Sequence, residues 1–191
     1  MLLHKLRLAV VPFILFCSLV LTATAGEPDR NPTNWYKGQT HLHSFWSDGD
    51  QFPELVALQY KSLGYDFITP SDHNTVQTGE KWVLIHSPKS KISDELFAEY
   101  VETVGRENVE TKKDGDQEFV RLHTFEETKK LVGDENFLLI QAEEITGRCG
   151  TSQVHMNAIN LTETIAPQEG DTVVDTLNRD IAEVVRQAER L

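Results

Sequence analysis

Between Trp35 and Thr69 the apolar pattern changes period twice, and this limits the fold more than any other feature of the chain. Trp35–His43 reads as a short strand. Phe52–Leu63 then sets Leu55, Leu58, Tyr60 and Leu63 at helical spacing, and Gly64 closes the run. Tyr65–Thr69 is a second strand-like run with turn residues after it. A strand, a helix and a strand in succession favour parallel pairing and predict an α/β fold. Further on, Ser93 caps a predicted helix reaching about Thr103. Asp114-Gly115 marks a hairpin within Asn108–Leu122, and Thr124 with Glu127 forms a capping box opening a helix to about Val132. Phe137–Ile140 is predicted as a buried strand and Val154–Leu161 as an alternating one. Asp171–Leu191 is a predicted helix with Val173, Val174, Leu177, Ile181, Val184, Val185 and Ala188 on its apolar side.

Histidines and carboxylates recur where these predicted strands begin or end. His41-Leu42-His43 closes the first strand, and two residues apart on a strand both imidazoles leave the same face. The motif alone occurs by chance; its position before the polar turn Ser47-Asp48-Gly49-Asp50 sharpens it, because α/β folds build sites where strands give way to loops. Asp72 and His73 follow the second strand, Glu143 and Glu144 the Phe137–Ile140 strand, and His155 opens the alternating one. Glu143 and Glu144 point to opposite sides, so at most one faces a common site. Singly, each has an ordinary reading: an Asx turn for Asp72, a satisfied core histidine for His155. Together they form a donor set suited to zinc, manganese or iron rather than calcium or magnesium alone.

The segment before this domain has a different character. Lys5 and Arg7 precede an apolar run from Leu8 to about Leu21, and Ala23-Thr24-Ala25 is a small-x-small cleavage pattern. Residues 1–25 therefore read as a signal peptide, too short in its apolar part for a membrane anchor, and 26–34 as a flexible leader. Export to the periplasm or the extracellular space is the expectation. Residues 35–191 have the length of one domain. The formal net charge of -12 argues against nucleic acid and anionic lipid as partners, while bound cations would still permit an anionic substrate. Cys149 has no intramolecular partner once residues 1–25 are removed and reads as a small filler.

Five stretches in this order resemble the PHP (polymerase and histidinol phosphatase) family: Thr40-His41-Leu42-His43-Ser44, Ser47-Asp48-Gly49, Thr69–Asn74, Ala142–Thr146 and Val154–Ala158. The resemblance runs from about Tyr36 to Leu191, with an insertion at about 75–136 that is atypical of the family. It implies a distorted (β/α)7 TIM-like barrel, of which this chain spans about the first half to two-thirds. It also implies two or three divalent ions (manganese, zinc or iron) that activate water for hydrolysis of a phosphoester. By that resemblance His41, His43 and Glu144 hold one ion. Glu144 bridges to a second that His155 also binds, and Asp48 and His73 serve a third. Glu144 is chosen over Glu143 because Ile145-Thr146 follow it in the family register. Asp72 would orient His73 or its water from behind. Arg148 is a candidate phosphate contact, and equally a solvated loop arginine.

The departures from the family carry weight as well. No histidine follows His155, whereas the family brings a further histidine and a late Asp-x-His. Ala188–Leu191 has no glycine, asparagine or proline stop, so the chain is expected to be the N-terminal portion of a longer product, with impaired activity. His86 and His123 lie in the insertion and are read as surface residues. The expected substrate is a small-molecule or nucleotide-like phosphoester. Two rival readings are an amidohydrolase-like enzyme acting on a non-phosphate bond and a noncatalytic exported metal-binding protein. The first lacks a suitably placed lysine, and the second lacks the cysteines of a closed zinc shell.

Overall fold

A computed structural model describes residues 35–191; the expected signal peptide and leader lie outside the described residues. The strand–helix–strand opening is present. β1 (Gly38–Leu42) is followed by α1 (Pro53–Ser62) and β2 (Phe67–Pro70), and the two strands pair in parallel, Gly38 opposite Phe67. Helix α1 starts where Pro53 stands at its first position, which needs no backbone N–H there. A short strand, Leu138–Leu139, adds in parallel to the far side of β2. The pairing continues beyond it: Ile140 N–H donates to Ile68 O, and Glu144 N–H to Asp72 O. One parallel sheet thus brings the residues after β1, after β2 and after Ile140 to a common end.

Residues 75–136 build a second body of structure on this sheet. β3 (Trp82–Ile85), α2 (Asp94–Val104), β4 (Thr111–Asp114), β5 (Gln117–Arg121) and α3 (Phe125–Val132) follow in order, and the three strands form an antiparallel sheet ordered β3-β5-β4. The predicted hairpin at Asp114-Gly115 joins β4 to β5, with Gly115 at φ +59°, a left-handed turn that glycine adopts without cost. The capping box of α3 is present in full. Ile85, Tyr100, Val120 and Leu122 are fully buried in one cluster with Phe52 of the β1–α1 loop. Phe52 stacks on Tyr100 at 3.7 Å between ring centroids. The insertion is therefore packed against the loop that follows β1. Sequence reasoning missed β3, whose single buried residue, Ile85, leaves little periodic signal.

The remaining elements depart further from the sequence reading. With the Leu138–Leu139 strand as β6, the chain continues into β7 (Ala142–Cys149), β8 (Ser152–Ile159) and α4 (Val173–Glu189). Phe137 and Leu139 are buried but Leu138 is 52% exposed, so β6 has one covered face, not two. β7 and β8 form an antiparallel hairpin turning at Gly150, with Thr146 opposite His155. Glu144 and His155 therefore sit within a hairpin, not at the ends of separate parallel strands. The described residues form sheets of three, three and two strands, and none of these closes into a barrel. Helix α4 packs through Thr176, Asp180 and Gln187, all buried, while Val173, Val174, Ile181 and Val185 of its apolar side stay exposed. No helix of the described residues is long and apolar enough to cross a membrane.

Candidate metal centre

The site is assembled from four places in the chain. His41 and His43 come from β1 and the turn after it, two residues apart with their rings edge to face at 4.7 Å. His73 follows β2 and meets Glu144 through an isolated parallel bridge. Glu144 and Thr146 share one face of β7, and His155, opposite Thr146 on β8, joins them there. Asp48 arrives on the loop after β1, and that loop folds back so closely that a Cβ on Gly49 would lie 2.6 Å from Ser44 N. The glycine is required by close approach.

These six side chains converge. His43 Nε2 lies 3.1 Å from Glu144 Oε2, His73 Nδ1 lies 2.9 Å from the same oxygen, and His155 Nδ1 lies 2.9 Å from Glu144 Oε1. Asp48 is 2.7 Å from His43 Nδ1 and 3.6 Å from His73 Nε2. Three overlapping groups have ligand atoms mutually within 4.8 Å: His41, His43 and Glu144; His43, Asp48 and His73; His73, Glu144 and His155. His43 Nε2 and Glu144 Oε2 are buried and neither makes a hydrogen bond. A buried carboxylate oxygen and a buried ring nitrogen without partners are costly, and a cation between them removes the cost. The donor set and these two orphaned atoms fit a divalent metal.

The surroundings fix the rings. Ser71 Oγ lies 2.9 Å from His41 Nδ1, and Thr146 Oγ1 lies 2.6 Å from His73 Nδ1. Neither residue was assigned a role from sequence, although Thr146 stands two residues from Glu144 and so on its face. The hydrogen bond from His43 holds the Asp48 carboxyl below its usual range, against a smaller opposing effect of burial.

Several expected roles change. Asp72 does not orient His73. Its carboxylate accepts from Ser44 N (2.8 Å), Ser44 Oγ (2.8 Å), Ser47 Oγ (2.5 Å) and Gln77 Nε2 (2.7 Å), and so ties the β1 loop to the end of β2. The reason is alternation: adjacent residues of an extended chain point to opposite sides. The same rule separates the glutamates. Glu143 points away from the cluster and accepts from Ile165 N–H at 2.6 Å, and burial pushes its carboxyl up to about 7. Arg148 lies on the Glu144 face of β7, exposed, and forms no ion pair among the described residues. Cys149 is a free, half-buried cysteine. His86 is exposed beside Asp94, as expected of a surface residue. His123 is not at the surface: it is 5% exposed and pairs with the buried Glu54 at 2.8 Å, because α1 and α3 close over it.

No family model matches the chain, and no curated protein matches it. A solved structure from Bacteroides vulgatus, a two-domain protein containing a predicted PHP-like metal-dependent phosphoesterase, is similar at 20% identity with a TM-score of 0.40. The match covers 80% of this chain and 33% of that one, so the chain spans about a third of that protein's length.

Proposed function

We propose that this chain is a metal-dependent hydrolase whose centre is the His41–His43–Asp48–His73–Glu144–His155 cluster, acting on a phosphoester. The observation that carries the reading is the pair of orphaned buried atoms, His43 Nε2 and Glu144 Oε2, inside a set of ligands that three cation positions could share. Glu144 offers one oxygen toward His43 and His73 and the other toward His155, the arrangement a bridging carboxylate needs. A neutral imidazole has one lone pair, so His43 can ligate through one nitrogen only. With Nδ1 bonded to Asp48, its Nε2 faces Glu144. A carboxylate behind a ligating histidine is the usual means of fixing the tautomer. This favours at least two ions, one held by His41, His43 and Glu144, the other by His73, Glu144 and His155. His73 also has a single lone pair, so a position at the exposed rim beside Asp48 would take His73 in place of the second position and not in addition to it.

When bound, divalent ions lower the pKa of water toward neutrality and offset charge on phosphoryl oxygens. The chain's own part is positional. Ser71 and Thr146 hold the rings of His41 and His73, Asp72 holds the loop that carries Asp48, and Glu144 spaces the two positions. Membership of the PHP family and a TIM-like barrel belong to the same proposal and rest on the ordered motifs of the sequence; export rests on the signal-peptide pattern of residues 1–25. Phosphoester rather than amide or lactone chemistry is favoured because Lys89, Lys91, Lys129 and Lys130 all stand outside the parallel strands.

The test is metal content. The protein is expected to bind manganese or zinc with His41→Ala or Glu144→Gln weakening binding at least 10- to 100-fold, taking the loss of a supporting group as the lower bound. Calorimetric titration reads it, with phosphodiester and phosphomonoester hydrolysis as the second measurement. Absence of metal uptake by the wild-type protein would end the reading.

A further inference from the structure

The insertion brings three lysines to the edge of the candidate centre. A cavity of about 200 Å³ is lined by Lys81, Lys89 and Lys91 together with Ser47, Phe45 and Ile92. Lys91 Nζ donates to Asp48 O at 3.2 Å, and Lys81 Nζ donates to Trp46 O. Both ammonium groups are thereby anchored to the loop that presents Asp48, and each keeps two further donors. Lys61 and Lys113 are the lysines that form ion pairs among the described residues, with Asp134 and Glu118. The three lysines of the cavity form none there, although the chain carries a formal charge of -12. Carboxylates are abundant, and yet none lies within ion-pairing distance of these cations among the described residues; the negative charge acting on Lys81 is that of Asp72, which is already bonded to Ser44, Ser47 and Gln77. Lys81 is half-buried beside Phe45 and Val83, and burial lowers its pKa while the charge of Asp72 opposes that. Holding such a group without a close ion-pair partner leaves room for an anion beside it.

We propose that this cavity binds a phosphate group of the substrate other than the one hydrolysed, so that the preferred substrates are phosphoesters bearing a second phosphate. This rests on the neighbouring cluster being the hydrolytic centre. The size supports one group and not a whole ligand, since complete small-molecule sites occupy roughly 300–1,000 Å³. Lysines serve phosphate as point charges, and an apolar wall strengthens their attraction. The loop is shaped for this. Ser90 Oγ donates to Leu84 O and accepts from Ile92 N–H, which curls the 87–91 turn so that Lys89 and Lys91 line the same cavity as Lys81.

The experiment is calorimetric titration of inorganic phosphate into chelator-treated protein at pH 7, where the metal centre is empty. Wild-type protein and His41→Ala are expected to bind phosphate alike. Lys81→Met and Lys91→Met are each expected to weaken binding roughly tenfold or more, as for loss of a charge-assisted hydrogen bond. Lys91 is exposed, so Lys91→Met tests the site even if Lys81→Met fails to fold. Equal phosphate affinity in wild type and Lys91→Met, or loss in His41→Ala alone, overturns the proposal. Lysine-dependent phosphate binding without any manganese uptake removes the hydrolytic reading and leaves the anion site standing. Manganese uptake with phosphate affinity indifferent to both lysines does the reverse.

Discussion

His43 and His123 each lie against a glutamate, and the two pairs have opposite characters. His123 Nδ1 meets Glu54 Oε1 at 2.8 Å, its Nε2 meets Asn108 O at 2.8 Å, and Thr128 Oγ1 donates to the same glutamate oxygen. Both ring nitrogens are used. One oxygen of Glu54 stays unpartnered, but no third metal-ligating side chain joins the pair among the described residues. His43 and Glu144 are nearly as close, at 3.1 Å, yet their facing atoms make no hydrogen bond, and three more histidines and Asp48 gather round them. The first pair is closed and serves packing, joining α1 to α3. The second is open, with its facing atoms left unpartnered among several further possible ligands. Composition does not separate the two; the accounting of donors and acceptors does.

The sharpest way to break that comparison is to remove His123. His123→Ala leaves the carboxylate of Glu54 buried without its partner, a loss worth about 3–5 kcal/mol. Chemical denaturation is expected to show that loss, while the protein that remains folded binds manganese with unchanged affinity. A near-wild-type midpoint for His123→Ala would show that the pair is not structural. Next in size is the response to metal. A cation at a hundred times its dissociation constant stabilises the wild-type fold by about 2.7 kcal/mol. Glu144→Gln is expected to lose most of this, with metal-free stability at or above wild type, because it removes a buried charge with an unpartnered oxygen. Thermal melts with and without manganese measure both.

The closed pair also has a pH signature. Burial works against the imidazolium of His123, but the hydrogen bond and charge of Glu54 outweigh it, and the pKa is raised above its ordinary 6.5. A group raised on folding stabilises the native state fully below its unfolded value, and that contribution disappears as pH rises through the folded value. Metal-free wild-type protein is therefore expected to lose stability as pH climbs from about 6.5, with a steeper slope than His123→Ala. Parallel slopes for the two proteins would mean that His123 is neutral in the folded state.

How far the sequence reaches differs between these regions for a physical reason. Local signals were legible: Gly64 just after α1, the Thr124–Glu127 capping box and the Gly115 turn all act within a few residues and stand where expected. The six candidate ligands were picked out by the ordered motifs of the family resemblance, and the structure brings them together although Glu144 and His155 lie within a hairpin and not at the strand ends expected. His123 was not. Its burial depends on Glu54, 69 residues away, and on Tyr100, and no periodicity in the chain links the three. The lysine cavity was hidden likewise, since Lys81 and Lys91 gain meaning only when the insertion folds against the loop of Trp46 and Asp48. Helix α4 was misjudged in its packing: amphipathicity predicted an inward apolar face, while Thr162 N–H and Gln168 N–H draw Gln187 and Asp180 inward instead.

The smallest expected effect sharpens the comparison most, because it concerns neighbours in sequence. Glu143 and Glu144 differ by one position and by every contact. Glu143 faces the interior, accepts one hydrogen bond from Ile165 and has no cation-binding partners among the described residues. Burial pushes its carboxyl up to about 7, so the folded state holds its proton across the range where an unfolded glutamate has lost it. Stability from this group is full below about 4.5 and is lost as pH rises to about 7. Glu143→Gln keeps an acceptor for Ile165 and has no charge to bury. Metal affinity is expected to match wild type. The stability profile is expected to flatten between pH 4.5 and 7, leaving the variant equal at acid pH and more stable above neutrality. A Glu143→Gln protein that loses manganese while Glu144→Gln retains it would reverse the roles of the two residues, and with them the face of β7 on which the centre is built.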